Sequence, residues 1–208
     1  MKTLSITLAT MTIAMCALSG CGTGQDRRAA TSKATATVPA DTNQANRDLK
    51  GIVASLKGLR DSDQRADLKK LHTGLQERAK TLKGSLADVA SSSDAAVVAG
   101  KEQITQWHQQ ADTFTDPELR NASNKREGEL RKAVDALSAS NASLKALADP
   151  FEAQLAQTLG ALDLDLSQPG LDSVKPVINA LIDDAEALGS SLTEVSDQSK
   201  SLYAVINP

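Results

Sequence analysis

Aromatic residues are almost missing from this chain of 208 residues, of which they make up 2%. Trp107, Phe114, Phe151 and Tyr203 are the complete set. A core with so few aromatics has to be built from Leu, Val, Ile and Ala, which suits slender helices packed side by side. It suits a deep ligand pocket poorly, because aromatic side chains usually supply much of a pocket lining.

Cysteine is also scarce, and the chain lacks an excess of basic residues. The two cysteines, Cys16 and Cys21, both lie near the amino terminus, so the residues after Cys21 have no thiol for a disulfide or a metal site. The formal net charge is −3. We therefore expect no nucleic-acid partner, since nucleic-acid binders normally carry a clear basic excess.

The residue patterns of catalytic and metal centres are lacking as well. His72 and His108 have no Glu three residues before them, so the di-iron bundle pattern is missing, and a lone helical His is most often a surface residue. There is no Gly-x-Ser-x-Gly elbow and no phosphate-binding Gly loop. Asp163, Asp165 and Asp172 could bind a cation weakly, but they fit better as helix-end and turn residues. We expect a protein that is not an enzyme and holds no cofactor or metal.

The most specific motif lies at the amino terminus. Lys2 is followed by an apolar run, Thr3–Leu18, which is signal-like and short for a membrane span. The run ends in Leu18-Ser19-Gly20-Cys21, which matches a bacterial lipobox: a branched apolar residue, two small residues and a Cys. The alternative is an ordinary secretory signal with an incidental Cys. We predict a lipoprotein signal peptide over residues 1–20 and lipidation of Cys21.

Acyl chains on Cys21 would anchor the protein in a membrane, because two or more chains hold stably where one holds marginally. In lipoproteins of the enteric type, Asp after the Cys favours the inner membrane. Gly22 therefore indicates the periplasmic face of the outer membrane, within the cell envelope.

Residues 21–43 are predicted to be the acylated Cys and a disordered tether. The segment is rich in Gly, Thr, Ala and Ser, contains Pro39, and has no visible apolar period. Arg27, Arg28 and Lys33 could touch anionic headgroups, but a solvated linker is the preferred interpretation.

Residues 44–208 are predicted to form a helical bundle domain, because apolar residues recur at spacings of three and four. The first helix covers about 43–60. The second runs roughly 50 residues to Phe114, and the third begins after Asp116-Pro117 and continues through Pro150. Ser167-Gln168-Pro169-Gly170 is a turn, and the fourth helix, from Leu171 to Ile206, has a strict heptad period. The predicted fold is all-α, an elongated antiparallel bundle of three to four long helices with coiled-coil packing.

Helix lengths place the ends of these helices. The second and third helices extend from a hairpin at 115–117, and the first and fourth helices join them at the far end. We therefore expect four helices at the far end, three in the middle and only two at the hairpin tip, with the fourth helix ending near the level of Ile104.

The hairpin segment resembles a known family. Trp107, Phe114-Thr115-Asp116, Leu119-Arg120 and Ser123 look like the Trp, Tyr-Ser-Asn and Leu-Arg pattern of a domain-of-unknown-function family of helical lipoproteins from Gram-negative bacteria. Pro150 also resembles a Pro of that family. The resemblance covers most of residues 45–206 and is specific around 107–123, but Asp163-Leu164-Asp165 departs from the family's Lys-His-Asn stretch. It implies a helical lipoprotein and brings no known activity.

The hairpin also carries the one candidate interaction surface. Trp107 and Phe114 lie close to Arg120 and Arg126, and exposed aromatics beside Arg are typical of binding hot spots. A mixed-charge solvated hairpin is the alternative.

Two functions fit the sequence. The first is a membrane-anchored, non-catalytic envelope module that binds an envelope protein, associates with itself or has a structural role. The second is an extracytoplasmic protein that binds or senses a small ligand or ion.

Overall fold

The computed structural model describes residues 24–62 and 67–208, and all of its secondary structure is helical. Four helices make up the described chain: α1 (Gly24–Arg60), α2 (Leu68–Ala111), α3 (Pro117–Leu164) and α4 (Gln168–Ile206). Each helix packs against the next, and α1 also packs against α4, so the four form a closed ring around one apolar core. The predicted all-α bundle is therefore confirmed.

The helices begin at side chains that cap them. Asp67 accepts a hydrogen bond from the Lys70 amide at the start of α2. Asp116 accepts from the amides of Glu118 and Leu119 at the start of α3, and Ser167 accepts from the Gly170 amide at the start of α4. Each cap satisfies amides that have no partner within the helix. The predicted restart at Asp116-Pro117 is confirmed.

The two long helices are continuous, as predicted. The second helix is continuous through Ser91–Ser93, and the third through Pro150, because their apolar faces continue on both sides. At about 1.5 Å per residue, the 48 residues of α3 extend about 72 Å. Within the described helices, no segment combines the length and apolarity needed to cross a bilayer.

The prediction of a disordered tether is wrong for residues 24–43, which form the first half of α1. The bundle therefore begins at Gly24 and not at residue 44. A heptad-spaced row of small side chains is buried along this half of the helix and just beyond it: Thr31, Thr35, Val38, Thr42 and Ala45. The period is the same as in α4, but it is carried mostly by Thr and Ala, so a search for Leu and Val overlooks it.

Hydroxyl groups make this burial possible, because each finds an acceptor inside the bundle. Thr35 donates to the carbonyl oxygen of Thr31 at 2.7 Å, and Thr42 donates to that of Pro39 at 3.1 Å. The Thr31 hydroxyl lies 3.0 Å from the Arg27 carbonyl and 3.2 Å from the Ala99 carbonyl of α2. A buried hydroxyl without such a partner would oppose folding.

Pro39 lies within α1 without ending it. Proline has no amide hydrogen for the carbonyl four residues earlier, which here belongs to Thr35. The hydroxyl of Ser199 on α4 donates to that carbonyl at 2.8 Å, and Ser199 is fully buried. The hydrogen bond that Pro39 removes from α1 is thus replaced by one that joins α1 to α4.

We predict that Ser199→Ala lowers the free energy of unfolding by about 1 to 3 kcal/mol, the cost of a buried acceptor without a partner. In a Pro39→Ala background the same change should cost less, since the amide hydrogen restored at position 39 can reach the Thr35 carbonyl. Urea denaturation of the four variants of this cycle measures the difference. Ser201→Ala, which removes an exposed hydroxyl, is the control. Equal costs in both backgrounds would contradict this role of Ser199.

Candidate functional site

The hairpin between α2 and α3 is thicker than expected, because α1 reaches it. Gly24, Arg27 and Arg28 of α1 lie against the last turns of α2 and the first turns of α3. The expectation of a two-helix tip is therefore wrong, because it assumed that residues 24–43 are a disordered tether and not the first half of α1. At the other corner, Val205 and Ile206 of α4 lie near Gln103 and Trp107, which agrees with the predicted level of Ile104.

The start of α1, the end of α2 and the start of α3 together enclose a cavity of about 420 Å³ that opens to the surface. We call it the tip groove. The surface of its lining is mostly apolar, although more than half of the lining residues are polar or basic. The lining residues are Gly24, Arg27, Arg28, Gln103, Gln106, Trp107, Gln110, Ala111, Phe114, Leu119, Ala122, Ser123 and Arg126.

Trp107 lines the tip groove and is held by two contacts. Its indole Nε1 donates to the Ser123 hydroxyl at 2.7 Å. The guanidinium carbon of Arg126 lies 5.7 Å from the centre of its ring, which is within the range of a cation–π interaction. The ring is half-buried and packs against the core. Trp107 is therefore fixed in position, and Arg126 is held at the rim of the groove.

The loop at the end of the groove is fixed by Arg120. Its Nε donates to the Phe114 carbonyl at 3.1 Å, and its Nη2 donates to the same oxygen. Phe114 is half-buried, whereas Leu119 is 53% exposed. This end of the molecule thus presents two apolar side chains: Phe114, in the loop that Arg120 holds in place, and Leu119, in the first turn of α3.

Of the four predicted surface residues, Trp107, Phe114 and Arg126 line the groove together, and Arg120 supports the loop from outside it. Both aromatic side chains are half-buried. The wall formed by α1 was missed. The heptad of Thr and Ala in α1 is the signal that could have revealed it.

A charged cluster lies on another side of the same hairpin. Glu127 of α3 is buried, and its two carboxylate oxygens lie 2.7 Å from Arg131 Nη2 and 3.2 Å from His108 Nδ1. His108 Nε2 is 3.7 Å from the Asp112 carboxylate. Burial raises the pKa of Glu127, but the hydrogen bonds and charges of Arg131 and His108 outweigh burial and hold that pKa below its usual value. The cluster therefore joins α2 to α3 through an ionised carboxylate.

The other residues considered from sequence have structural surroundings. His72 is buried, so the expectation of a surface His is wrong there; its Nε2 lies 3.6 Å from Asp163 of α3. Asp163 also accepts a hydrogen bond from Gln76, and Asp165 accepts one from the Ser167 amide. Asp172 pairs with Lys175 on the same helix. These acids lie at helix ends and in turns, which agrees with the role preferred for them in the sequence analysis.

Cys21 and the signal segment 1–20 lie outside the described residues. The sequence matches no family model, and no curated protein matches it. The resemblance of residues 107–123 to helical lipoproteins stays a prediction.

Glu127 makes the hairpin sensitive to acid. Since its pKa is lower in the folded state, its contribution to stability is complete above the ordinary glutamate pKa of about 4.3 and is lost as pH falls through the folded-state value. At pH 7 we expect Glu127→Gln to lower the free energy of unfolding by about 1 to 3 kcal/mol. The difference from wild type should shrink below pH 4, as measured by urea denaturation across pH. Glu129→Gln, a change at an exposed neighbour, is the control; a pH-independent difference would show that the carboxylate charge is not what matters.

Proposed function

We propose that this protein is a lipid-anchored, non-catalytic module of the bacterial cell envelope, with an interaction or structural role. The anchor is Cys21, at the end of the lipobox Leu18-Ser19-Gly20-Cys21. Acyl chains on this residue attach the protein to a membrane, and Gly22 favours the outer membrane. A protein partner or a second copy binds the bundle.

One observation supports the module interpretation above others. The bundle begins at Gly24, only three residues after Cys21, so the helices follow the anchor without a long linker. A chain of three residues extends at most about 11 Å. Because α3 is about 72 Å long, this attachment suits a rod that holds its far end at a defined distance from a membrane.

The anchoring has a direct test. Acyl chains contribute about 0.8 kcal/mol of membrane-binding free energy per buried methylene. None of the described helices can span a bilayer, so we expect the acyl chains to supply most of the free energy of anchoring. Wild-type protein in a lipoprotein-processing host should incorporate labelled fatty acid and sediment with membranes. Cys21→Ser should abolish the labelling, whereas Cys16→Ser, a change inside the signal segment, should leave it unchanged.

Cys21→Ser also blocks processing, so the uncleaved apolar segment could hold the protein weakly. Replacing residues 1–21 by an ordinary cleavable signal avoids this complication. That protein should be helical by circular dichroism and stay in the supernatant at high salt. If wild type carried no fatty acid, or if the replaced form still sedimented with membranes, the acyl anchor would be refuted.

A second function, binding of a small apolar ligand, is favoured by the tip groove. Its volume of about 420 Å³ lies within the range of about 300 to 1,000 Å³ that ligand sites have. A ligand at a hundred times its dissociation constant would add about 2.7 kcal/mol of stability, which a thermal-shift panel of fatty acids, metabolites and metal ions would detect. Ala122→Phe, which adds a ring to the groove wall, should cancel a true shift. No shift with any compound would leave the first function alone.

A further inference from the structure

The first residues of α1 lie in the wall of the tip groove. Gly24 and Arg28 line it together with Trp107, Phe114 and Leu119. Cys21 precedes Gly24 by three residues, so the two α-carbons are at most about 11 Å apart. An anchor at Cys21 therefore places the groove, and not the far end of the bundle, beside the bilayer.

We propose that the tip groove is a lipid-contact surface, which rests on the leaflet that carries the Cys21 anchor. This proposal depends on the proposed anchoring and adds an orientation to it. The bundle stands on the α2–α3 hairpin, and the turn between α3 and α4 points away from the membrane.

The side chains of the groove suit the boundary between headgroups and acyl chains. Leu119 is 53% exposed and Phe114 is half-buried, so both offer apolar surface at the extreme end of the molecule. Trp107 lies four residues before the end of α2 at Ala111, or about 6 Å along the helix, and tryptophan is enriched at the membrane–water interface of membrane proteins. Because its N–H already bonds to Ser123, the ring can meet the apolar region without an unsatisfied donor.

Charge at the rim agrees with contact to phosphate groups. Arg28 is exposed, and Arg126 is exposed and held over the Trp107 ring, so both can donate to headgroup phosphates. Asp112, Asp116 and Glu118 lie at the same end and offset this charge. Apolar contact therefore matters more than net charge, and the contact should persist at high salt.

The contact is weak without the anchor. Two apolar side chains bury far fewer methylenes than one acyl chain, and a single myristoyl chain already binds membranes only marginally. Attachment at Cys21 raises the local concentration of the groove at the lipid surface and so allows the contact to form.

The protein supplies its own probes for a test. Residues 21–208 contain all four helices, a single cysteine, Cys21, and a single tryptophan, Trp107. We would couple Cys21 to a maleimide-headgroup phospholipid in vesicles of phosphatidylethanolamine and phosphatidylglycerol. Tryptophan emission is then recorded with and without lipids brominated near the headgroup end of their chains.

A matched protein is attached by the opposite end. Cys21→Ser combined with Leu164→Cys uses a position that is 91% exposed at the end of α3. We expect coupling through Cys21 to shift Trp107 emission to the blue and to allow quenching by brominated lipid, at low and high salt. Coupling through residue 164 should give neither effect. Equal quenching from both ends, or none through Cys21, would overturn the proposal.

Single substitutions locate the contact. Leu119→Ser should reduce the quenching, whereas Val98→Ser, at a position 55% exposed well up α2, should not. Circular dichroism checks that both variants keep their helices. If emission shifted on concentrating the protein without vesicles, the groove would be a contact between copies, and the proposal would fail. Because the coupling is chemical, these results do not depend on whether cells acylate Cys21, which the labelling experiment decides.

Discussion

The packing of the first half of α1 between α2 and α4 depends on a row of buried side chains, most of which are too small or too polar to drive burial strongly. Its threonines remain buried because their hydroxyls bond to carbonyls of α1 and α2, and Ser199 of α4 bonds to the Thr35 carbonyl that Pro39 leaves free. These bonds fix α1 in register with both neighbours. The tip groove depends on this register, because α1 supplies one of its walls.

Large apolar residues made α2, α3 and α4 predictable, and the absence of such residues concealed the first half of α1. The leucines of α4 and the Asp116-Pro117 restart carry strong local signals, and the structure agrees with both. Residues 24–43 have a composition typical of linkers, and only their tertiary contacts show why Thr at heptad spacing is buried. Local propensity is a weak guide where packing with the rest of the chain determines the state.

The candidate site was predictable to a similar degree. Aromatics near Arg126 at a hairpin were enough to indicate Trp107 and Phe114 as a surface. The groove itself was not predictable, because α1 forms one of its walls. The position of α1 follows from the heptad of small residues that the sequence analysis overlooked. The buried cluster around Glu127 was missed since His108 and Glu127 lie 19 residues apart on different helices, and only the hairpin geometry brings them together.

An even number of antiparallel helices also brings the two ends of the described chain to one pole of the bundle. The Asn207 side chain donates to the Ser32 hydroxyl at 2.5 Å, so the end of α4 lies about two helical turns from Gly24. The chain thus traces a nearly closed loop that could be circularly permuted by joining its ends and opening it at the α3–α4 turn. A fusion at the carboxyl terminus would lie beside the tip groove, whereas one inserted between Leu164 and Gln168 would lie at the opposite pole, clear of it.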